Sequence, residues 1–352
     1  MKKLRKGYRC IFILFYFFIG VYIYPYTFSS ITIENDFFPP MEVRSLLSSS
    51  ENKELNEEDI VNLSRKLTNL YIKNGYITSF VKLKSINLED NELVFIVEYG
   101  RINDILIEDS YDFSLPTSKG EILNIRDIDQ FIENTKTELT NMKVEILPSE
   151  REGYSDIEIK KERKKQFRAR VILDNFNYKD QGRENVALFF YRDSSVFLGD
   201  SFQFFIKERL SKNRDDNKES QYRLTYSVPI GYSALQYSFT KKKNFNRFPN
   251  KKYSTKKDED IHYFEFSRVL SRNSENKFEI YSSLNLKDTK NYFNDIKLDV
   301  SSKRYSSFTV GLRNTHYFNN SYLFIDLGFE KGVSWFHSDN NNGNEKILNP
   351  FD

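Results

Sequence analysis

The sequence contains almost no cysteine, and its single cysteine, Cys10, lies in an amino-terminal segment that we expect to be removed. The chain that remains can form no internal disulfide, zinc–thiolate site or cysteine nucleophile. Histidine is also rare, and none of the three has carboxylates or cysteines at metal-ligand spacing: they are His262, His316 and His337. The sequence has no glycine-rich phosphate loop, nucleophile elbow or supported pair of catalytic carboxylates. These absences argue against an enzyme and against a bound metal or cofactor.

Long apolar runs are scarce as well. Cys10–Tyr24 is apolar and uncharged, and it follows the basic segment Met1–Arg9. This order is typical of a signal peptide, and the run is shorter than the roughly 20 residues that a spanning helix needs. We therefore expect a signal peptide over residues 1–28, with an uncleaved membrane anchor as the alternative. After Ser30 no run approaches spanning length, so any membrane insertion must use a β-barrel.

Neither sign of charge dominates the sequence. Fifty-three basic residues face 50 acidic residues, which leaves a net charge of +3 and gives no reason to expect nucleic acid as a partner. We expect the lysine cluster Lys241–Lys243 to lie in a solvated loop. Aromatic residues make up 16% of the chain, with 32 Phe and 23 Tyr, and this abundance favours alternating strands with one apolar face.

The stretch Leu55–Gly100 predicts a helix, a glycine turn and two strands. Asn56 and Asp59 have the spacing of a helix N-cap, and apolar residues then recur at helical intervals. Gly75 is expected to end the helix, because glycine adopts the left-handed conformation without a Cβ penalty. A third strand must complete a small α+β module. The expected strands are Ser30–Glu34, Tyr76–Leu83 and Leu93–Val97.

A second copy of this arrangement follows. Leu123–Ile128 (LNIRDI) repeats the Leu-Asn-x-x-Asp-Ile pattern of Leu55–Ile60 (LNEEDI). The next helix is expected to carry one apolar face, formed by Ile128, Ile132, Thr135 and Leu139. Short strands are expected around it at Ile105–Glu108, Lys143–Leu147 and Ser155–Lys160. Because the element order matches in both copies, we predict two tandem modules of strand, helix, strand and strand.

From Gln166 onward, apolar residues recur at every second position instead of at helical spacing. Runs of about ten residues alternate apolar with polar side chains, and we expect about nine strands between Gln166 and Lys331. A soluble β-sandwich gives a similar pattern. Strand length, aromatic residues near strand ends and a charged second face favour a membrane barrel. Short links at Pro229–Gly231 and Asn319–Asn320 and a long polar link at Asn244–Asp260 are expected, as in barrels with short turns on one side.

These residues resemble a known family. Leu67–Asp109 is similar to the first POTRA module of the two-partner secretion transporters, the hemolysin-activator (ShlB/FhaC/HecB) family. In that module a Tyr-x-x-x-Gly-Tyr run follows the helix, and a short strand ends in Glu-x-Gly-Arg-Ile. The positions here are Tyr71, Gly75, Tyr76, Glu98, Gly100, Arg101 and Ile102. Leu123–Lys136 with Ile146–Ile159 resembles the second module. Later stretches of the chain resemble the family's first barrel strands, with matching residues at Asp174, Asn175, Gly182, Gly199, Asp200, Pro229 and Gly231.

The resemblance implies a fold of α+β periplasmic POTRA modules followed by an antiparallel transmembrane β-barrel. The implied domains are residues 1–28 as signal peptide, 29–100 as POTRA module 1, 101–163 as POTRA module 2 and 164–352 as the amino-terminal part of the barrel. The family's barrel has sixteen strands, of which about half are expected here, and its Val-Arg-Gly-Tyr/Phe motif is absent. We therefore expect this chain to be an incomplete copy.

The implied function is transport across the outer membrane without chemistry. Periplasmic modules would receive an unfolded exoprotein of the hemolysin or adhesin type, through its amino-terminal secretion domain, and a barrel pore would pass it. Outer-membrane lipid and the outer-membrane barrel assembly machinery are the other expected partners. No nucleic acid and no cofactor are expected. Two alternatives are an assembly factor of the wider POTRA-barrel superfamily and a soluble periplasmic binding protein with a β-sandwich.

Candidate functional residues form two groups. The motif residues Tyr71, Gly75, Tyr76, Glu98, Gly100 and Arg101 are interpreted mainly as fold residues, since a helix C-cap and a buried aromatic explain them. Four cationic residues on strands are candidates for the barrel lumen: Arg168, Arg170, Arg223 and Lys287. The alternative for each of these is the solvated face of an ordinary strand.

Overall fold

The computed structural model describes residues 25–339 apart from 108–112, 138, 164, 166, 177–183, 211–216 and 249–251. Residues 1–24 of the expected signal segment, with Cys10, lie outside the described residues. Its last residues are described: Tyr26–Thr27 forms a short strand paired with Glu54–Leu55, and Phe28 is fully buried, so the end of the predicted segment is part of the folded chain. The chain divides into two units. One contains the residues up to Leu70 together with Val81–Val97, and the other contains Tyr71–Phe80 together with the residues from Glu98 onward. No described helix is both long enough and apolar enough to cross a membrane.

The first module is a three-stranded sheet with helices. Its elements are β1 (Tyr26–Thr27), β2 (Ser30–Glu34), α1 (Met41–Ser48), β3 (Glu54–Leu55), α2 (Glu57–Lys73), β4 (Phe80–Asn87) and β5 (Glu92–Glu98). The sheet order is β2-β5-β4, with β2 and β5 parallel. Helix α1 was not expected from the sequence, because its eight residues are too few for a periodic pattern, although Pro40 stands at its N-cap.

Helix α2 begins and ends as the sequence predicts. The amide of Asn56 donates to Asp59 Oδ2 at 3.0 Å, and the amide of Asp59 donates to Asn56 Oδ1 at 2.9 Å. These two bonds satisfy amides that the first turn cannot pair internally. Gly75 follows the helix with φ +104°, which an L side chain rarely adopts. The capping box and the glycine stop are therefore confirmed.

The strand after α2 begins later than predicted. The expected strand Tyr76–Leu83 is wrong at its start, since β4 begins at Phe80. The amide of Tyr76 donates to the carbonyl of Tyr71 at 3.0 Å, and the amide of Ser79 donates to the carbonyl of Tyr76 at 3.1 Å. These turn hydrogen bonds fold back the residues that the apolar alternation had assigned to a strand.

The second module repeats the strand, helix, strand, strand order. Its elements are β6 (Arg101–Ile107), α3 (Ile125–Thr135), β7 (Thr140–Pro148) and β8 (Tyr154–Arg163), in the sheet order β6-β8-β7. The predicted three strands are confirmed, except that Glu108 lies outside the described residues. One hydrophobic cluster forms its core: Ile102, Leu123, Ile128, Phe131, Met142, Ile157, Ile159 and Leu198.

The predicted apolar face of α3 is partly wrong. The helix ends at Thr135, so Leu139 is buried beyond its last turn rather than on its face. Phe131, which the prediction omitted, is fully buried in the module core. The C-cap residue Lys136 is extended, and this change of backbone ends the helical period before Leu139.

A large antiparallel sheet follows. Its strands are β9 (Arg168–Asp174), β10 (Glu184–Asp193), β11 (Ser201–Leu210), β12 (Asn217–Ile230), β13 (Ser233–Arg247), β14 (Ser254–Arg272), β15 (Asn276–Phe293), β16 (Ile296–Lys297), β17 (Lys303–Tyr317) and β18 (Tyr322–Gly332). Each long strand pairs with its neighbour in sequence, while the two-residue β16 pairs only with β15. Among the described residues this gives nine strands in one path, which confirms the predicted number.

Two loop predictions are wrong, and the predicted link Pro229–Gly231 is wrong at its start, since Pro229 and Ile230 still pair with β13 as part of β12. Lys241–Lys243 lies inside β13, and most of Asn244–Asp260 lies in β13 and β14. The two strands stay paired as far as Arg247 and Ser254. Cross-strand attraction supports this pairing, because Lys241 Nζ lies 3.0 Å from Asp260 Oδ1. The polar residues therefore show where the apolar part of these two strands ends, while the strands themselves continue.

Candidate functional site

The large sheet has two chemically different faces. Directly paired residues of antiparallel strands place their side chains on the same side, so the register assigns each side chain to a face. One row of paired residues is almost entirely polar: Arg168, Tyr191, Gln203, Thr225, Ser238, Tyr263, Asn285 and Ser307. We call this side the polar face.

The opposite side, which we call the apolar face, carries rows rich in aromatic and aliphatic residues. One row consists of Phe202, Tyr226, Tyr237, Phe264, Leu284 and Phe308. The rings of Tyr237 and Phe264 lie 4.7 Å apart between centroids. Leu235, Phe264 and Phe266 on this face are 43–45% exposed, so these side chains have no cover within the described chain. A contiguous exposed apolar surface of this kind marks a site of contact with a membrane or another protein.

All four predicted lumen residues lie on the polar face. Arg170, Arg223 and Lys287 fall on a single row of paired residues. Arg168 falls on the adjacent row of the same face. Lys287 Nζ is 3.0 Å from Glu259 Oε1, whereas Arg223 Nε donates to Thr240 Oγ1 at 3.3 Å. The structure therefore brings these residues onto one surface.

A charged network occupies the polar face of β14, β15, β17 and β18. Arg313 Nη1 lies 2.9 Å from Glu265 Oε1 and 3.0 Å from Glu279 Oε1. Its Nε atom is 3.2 Å from Asp326 Oδ2. The guanidinium carbon also stands 3.9 Å from the centroid of the Tyr281 ring. One cation thus links carboxylates on three neighbouring strands and an aromatic face.

The ring of Tyr281 occupies a space that two glycines leave open. A Cβ atom on Gly311 would lie 2.3 Å from the ring carbon Cζ, and a Cβ atom on Gly328 would lie 2.7 Å from the phenolic oxygen. The hydroxyl donates to Asp326 Oδ1 at 2.9 Å. Any larger residue at Gly311 would displace the ring. The glycines therefore fix the tyrosine beneath Arg313.

Helix α3 holds the turn between β12 and β13. The hydroxyl of Tyr232 donates to Asp127 Oδ1 at 2.5 Å. Asn134 Nδ2 donates to the carbonyls of Ser114 and Gly231, each at 2.7 Å. We call the contact of α3 with the turns of the large sheet the module junction. It joins the second module to the sheet through side chains at both ends of the helix.

The same helix binds the hairpin of β14 and β15. Arg272 Nη1 lies 2.7 Å from Glu133 Oε2 and 2.7 Å from Gln130 Oε1. Lys277 also forms an ion pair with Glu133. The Arg272 and Lys277 side chains are 11% and 16% exposed, whereas the Glu133 side chain that they share is 38% exposed, so water screens this pairing from the carboxylate side.

The turn between β10 and β11 completes the module junction. Gly199 has φ +82°, and a Cβ atom there would lie 2.6 Å from the carbonyl oxygen of Asn134. Leu198 is 4% exposed and packs in the hydrophobic core of the second module. Thr137, just after α3, donates to Asp193. The turn therefore inserts an apolar side chain into the module, and glycine permits the close approach.

Asp200 shapes that turn from inside. Its fully buried carboxylate accepts the amides of Ser195 at 2.6 Å, Val196 at 2.9 Å and Phe197 at 3.1 Å. It also accepts the hydroxyl of Tyr226 at 2.7 Å. Four donors compensate the desolvation of this carboxylate, which holds the turn in one arrangement around Asp200.

Burial changes the acidity of groups at the module junction. Burial raises the pKa of Asp127, the hydrogen bond from Tyr232 opposes the rise, and the charge of Glu121 adds to it. Burial, together with the bond to Asp127, raises the pKa of Tyr232. Burial also acts to raise the pKa of Glu133, but the hydrogen bonds and charges of Lys277 and Arg272 outweigh it, and that pKa is lowered.

The POTRA-motif residues pack beside the start of α3. Tyr71 is fully buried, and its ring lies 6.0 Å from Tyr99, which in turn lies 5.5 Å from Tyr76. The carbonyl of Gly75 accepts the amide of Ile125, the first residue of α3, at 2.9 Å. A Cβ atom at Gly75 would lie 2.2 Å from the cap side chain of Asn124, so the motif seats the second module's helix.

The remaining motif residues lie at the end of β5 and the start of β6. The amide of Gly100 donates to Ser79 Oγ at 3.1 Å, and a Cβ atom there would lie 2.1 Å from Thr78 Oγ1. Arg101 Nη1 donates to the carbonyl of Gly120 at 2.8 Å. Glu98 is the last residue of β5 and is half-buried. These contacts are consistent with the interpretation of the motif as a folding element.

The polar residues of α3 were not predicted as functional residues. Asp127, Gln130, Glu133 and Asn134 read as an ordinary solvated helix face, because composition does not show which polar face is covered. The resemblance did mark Gly199 and Asp200, which was a signal for the turn against α3. Among the described residues there is no group of three or more His, Cys, Asp or Glu side chains that could hold a metal ion.

Comparison with known protein families gives three matches. The model for "Haemolysin secretion/activation protein ShlB/FhaC/HecB" matches residues 153–350. A ShlB-type POTRA domain matches residues 27–100, and a further POTRA domain matches residues 101–148. The match to the haemolysin secretion/activation model covers more than half of the chain and includes all the strands of the large sheet, β9–β18.

Individual proteins show the same similarity. Outer membrane transporter CdiB of Dickeya dadantii (strain 3937) is 28% identical over 288 residues, which are 80% of this chain and 51% of that protein. Hemolysin transporter protein ShlB of Serratia marcescens is 26% identical over 298 residues, 83% of this chain and 53% of the relative. The solved structure of CdiB from Escherichia coli has a TM-score of 0.81 at 25% identity and covers 94% of this chain and 63% of that one. The chain spans about half the length of the curated relatives that it matches.

Proposed function

This chain belongs to the haemolysin secretion/activation protein ShlB/FhaC/HecB family, and on that basis we propose that it carries out two-partner secretion, the transport of an unfolded exoprotein. Its fold is that of POTRA modules followed by the antiparallel sheet of an outer-membrane barrel. Its location is the cell outer membrane, with the amino-terminal modules in the periplasm.

The division of the large sheet into two faces is the observation that carries this function. A charged side chain facing hydrocarbon costs about 2–4 kcal/mol at the membrane midplane, so the apolar face must turn to lipid. The polar face then lines the lumen, with Arg168, Arg170, Arg223 and Lys287 on its wall. An unfolded chain crossing such a lumen exchanges water for polar side chains and needs no chemical step.

The modules offer two edge strands for recognition. In the described sheets, β7 stands at one end of the second and β4 at one end of the first, where α2 occupies the start of the edge because the amide of Val81 donates to Thr68 Oγ1 at 2.9 Å. The opposite edges are partly covered, since the amide of Ile31 on β2 donates to Glu51 Oε1 at 3.3 Å, and the amide of Ile102 on β6 donates to the carbonyl of Glu121 at 2.9 Å. We place the extended exoprotein on β4 or β7, where main-chain hydrogen bonds give sequence-tolerant affinity.

The exoprotein is of the hemolysin or adhesin type in this proposal, because one relative is named a hemolysin transporter. The barrel assembly machinery and outer-membrane lipid would be the partners for insertion. An assembly factor is less well supported, since the matching POTRA domain at residues 27–100 is of the ShlB type.

Binding and localisation test the proposal. The full chain in detergent should bind the amino-terminal secretion domain of a cognate exoprotein, and should bind a scrambled domain of equal composition much more weakly. The outer-membrane fraction should show heat-modifiable migration, as closed barrels do. Equal binding of the scrambled domain, or recovery of all the protein in the soluble periplasm, would contradict the proposal.

A further inference from the structure

The polar face has an uneven charge distribution. On three adjacent rows across β9–β13 it carries cations and no carboxylate. The fifteen paired positions are Arg168, Tyr191, Gln203, Thr225 and Ser238, then Arg170, Phe189, Phe205, Arg223 and Thr240, then Ile172, Ala187, Lys207, Gln221 and Lys242. The same face of β14, β15, β17 and β18 instead carries the carboxylates that bind Arg313.

Two of these cations have no carboxylate partner. Arg170 and Arg223 are exposed, and neither forms an ion pair within the described part of the chain. In contrast, Lys207 Nζ lies 3.9 Å from Glu219 Oε1. An exposed guanidinium without an acidic neighbour keeps its full capacity to bind an external acceptor.

Aromatic side chains lie between the two arginines. Arg170, Phe189, Phe205 and Arg223 are consecutive members of one row. The rings of Phe189 and Phe205 are 4.5 Å apart between centroids. The row lines a concavity of about 650 Å³, to which Gln203 and Gln221 also contribute.

This combination selects a particular chemistry. A guanidinium group only donates hydrogen bonds, so its ligand must supply acceptors, and carboxylates match its geometry best. The phenyl rings favour an apolar segment between those acceptors. Three strand spacings of about 4.8 Å separate the two arginines by about 14 Å, which an extended chain covers in about four residues.

We propose that Arg170 and Arg223, with Phe189 and Phe205 between them, bind acidic segments of the unfolded polypeptide during its passage. This inference rests on the proposed transport function and adds the feature of the substrate that the lumen recognises. Binding at an exposed, charged site is weak and sensitive to salt, which lets a moving chain leave as readily as it enters.

The test uses the full chain in detergent and a labelled unfolded peptide of glycine, serine and phenylalanine with glutamate at every fourth position. A peptide with glutamine at those positions is the comparison. We expect about tenfold tighter binding of the glutamate peptide at low salt, with the difference shrinking as salt rises. The double variant Arg170→Gln/Arg223→Gln should lose the difference. Arg170→Lys/Arg223→Lys should keep part of it, because lysine retains the charge without the bidentate geometry.

Lys303→Gln is the matched control, since Lys303 lies on the polar face of β17, away from the concavity. It should leave the glutamate preference unchanged. The inference is overturned if both peptides bind equally, if Arg170→Gln/Arg223→Gln keeps the preference, or if Lys303→Gln removes as much of it. Binding of the exoprotein secretion domain by the same preparation separates the two ideas. Loss of that binding rejects transport, whereas its presence without a glutamate preference rejects only the acidic-segment site.

Discussion

The hydroxyl of Tyr232 donates a 2.5 Å hydrogen bond to Asp127, 105 residues earlier in the chain. This bond connects a turn of the large sheet to the first turn of α3. Together with Asn134 and Glu133 it fixes the second module against the sheet. Any motion of this module against the sheet must break these contacts, so the stability of the module junction can be measured directly.

Tyr232→Phe should loosen the module junction. The substitution keeps the ring and removes the donor, which leaves the half-buried carboxylate of Asp127 without its partner. We expect a loss of about 1–2 kcal/mol, measured as faster hydrogen exchange of the α3 amides. Tyr222→Phe is the control, because it removes a similar bond to Glu208 at an exposed site on β12. Equal exchange in the Tyr232 variant and the wild type would contradict the prediction.

Acid should weaken the module junction through Glu133. Its pKa in the folded protein is lowered, so its contribution is present above the ordinary value near 4.5 and is lost as pH falls through the lowered pKa. Glu133→Gln should remove this acid sensitivity and cost about 0.5–1 kcal/mol at neutral pH, because the Glu133 side chain is 38% exposed and water screens its ion pairs. Hydrogen exchange of α3 at several pH values measures both effects. Glu145→Gln removes an exposed ion pair of the same module and should leave the exchange of α3 unchanged.

Asp127 has the opposite dependence. Its pKa is raised, so the stability it contributes is fully present below the ordinary value near 3.8 and is lost as pH rises through the raised pKa. Asp127→Asn keeps an oxygen that accepts from Tyr232 and removes the buried charge. The variant should therefore be no less stable at neutral pH, and its module junction should weaken more steeply with acid than that of the wild type. The same exchange measurement tests this. If the module junction of Asp127→Asn weakened less with acid than that of the wild type, Asp127 would not be the group that opposes Glu133.

Gly199→Ala should separate the β10–β11 turn from α3. Alanine in the left-handed conformation costs about 1–2 kcal/mol, and the new Cβ would also meet the carbonyl of Asn134 at 2.6 Å. Gly120→Ala is a matched control, since Gly120 has φ +87° and no atom within 4 Å of the new Cβ. The difference between the variants isolates the close approach and should be about 1–3 kcal/mol. Urea titration of α3 amide exchange would detect it, and equal effects would argue against a tight contact.

Gly311→Ala should disturb the sheet, because its Cβ would overlap the Tyr281 ring at 2.3 Å. We expect a penalty of about 1–3 kcal/mol and less heat-modifiable protein in the outer membrane. The double variant Gly311→Ala/Tyr281→Ala should recover part of the loss, since the ring that clashes is gone. Gly332→Ala, where nothing lies within 4 Å, should behave as the wild type. A double variant that is worse than the sum of the single ones would contradict this packing.

The local elements could be predicted from the sequence because their causes are local. Helix α2 was predicted from Asn56 to Gly75, since both its cap and its stop are encoded within a few residues. The nine paired strands of the large sheet followed from the period of two. Helix α1 was missed because eight residues carry too little pattern. The strands β13 and β14 were predicted too short because their polar ends look like loop in the sequence. Lys241 and Asp260 are polar because they pair with each other across the two strands, and a linear pattern does not show such a pair.

The two Leu-Asn-x-x-Asp-Ile motifs separate what the sequence determines from what the tertiary structure decides. Both motifs start a helix, because an Asn side chain can accept a first-turn amide whatever surrounds it. In the first, the Asp59 carboxylate accepts the amide of Asn56 while the Asn56 side chain accepts the amide of Asp59, so the cap is closed. In the second, Asn124 caps through Arg126, while Asp127 binds Tyr232 instead. The same residues at the same spacing thus close one helix on itself and join the other to the sheet, because only the folded chain places a tyrosine beside the second aspartate.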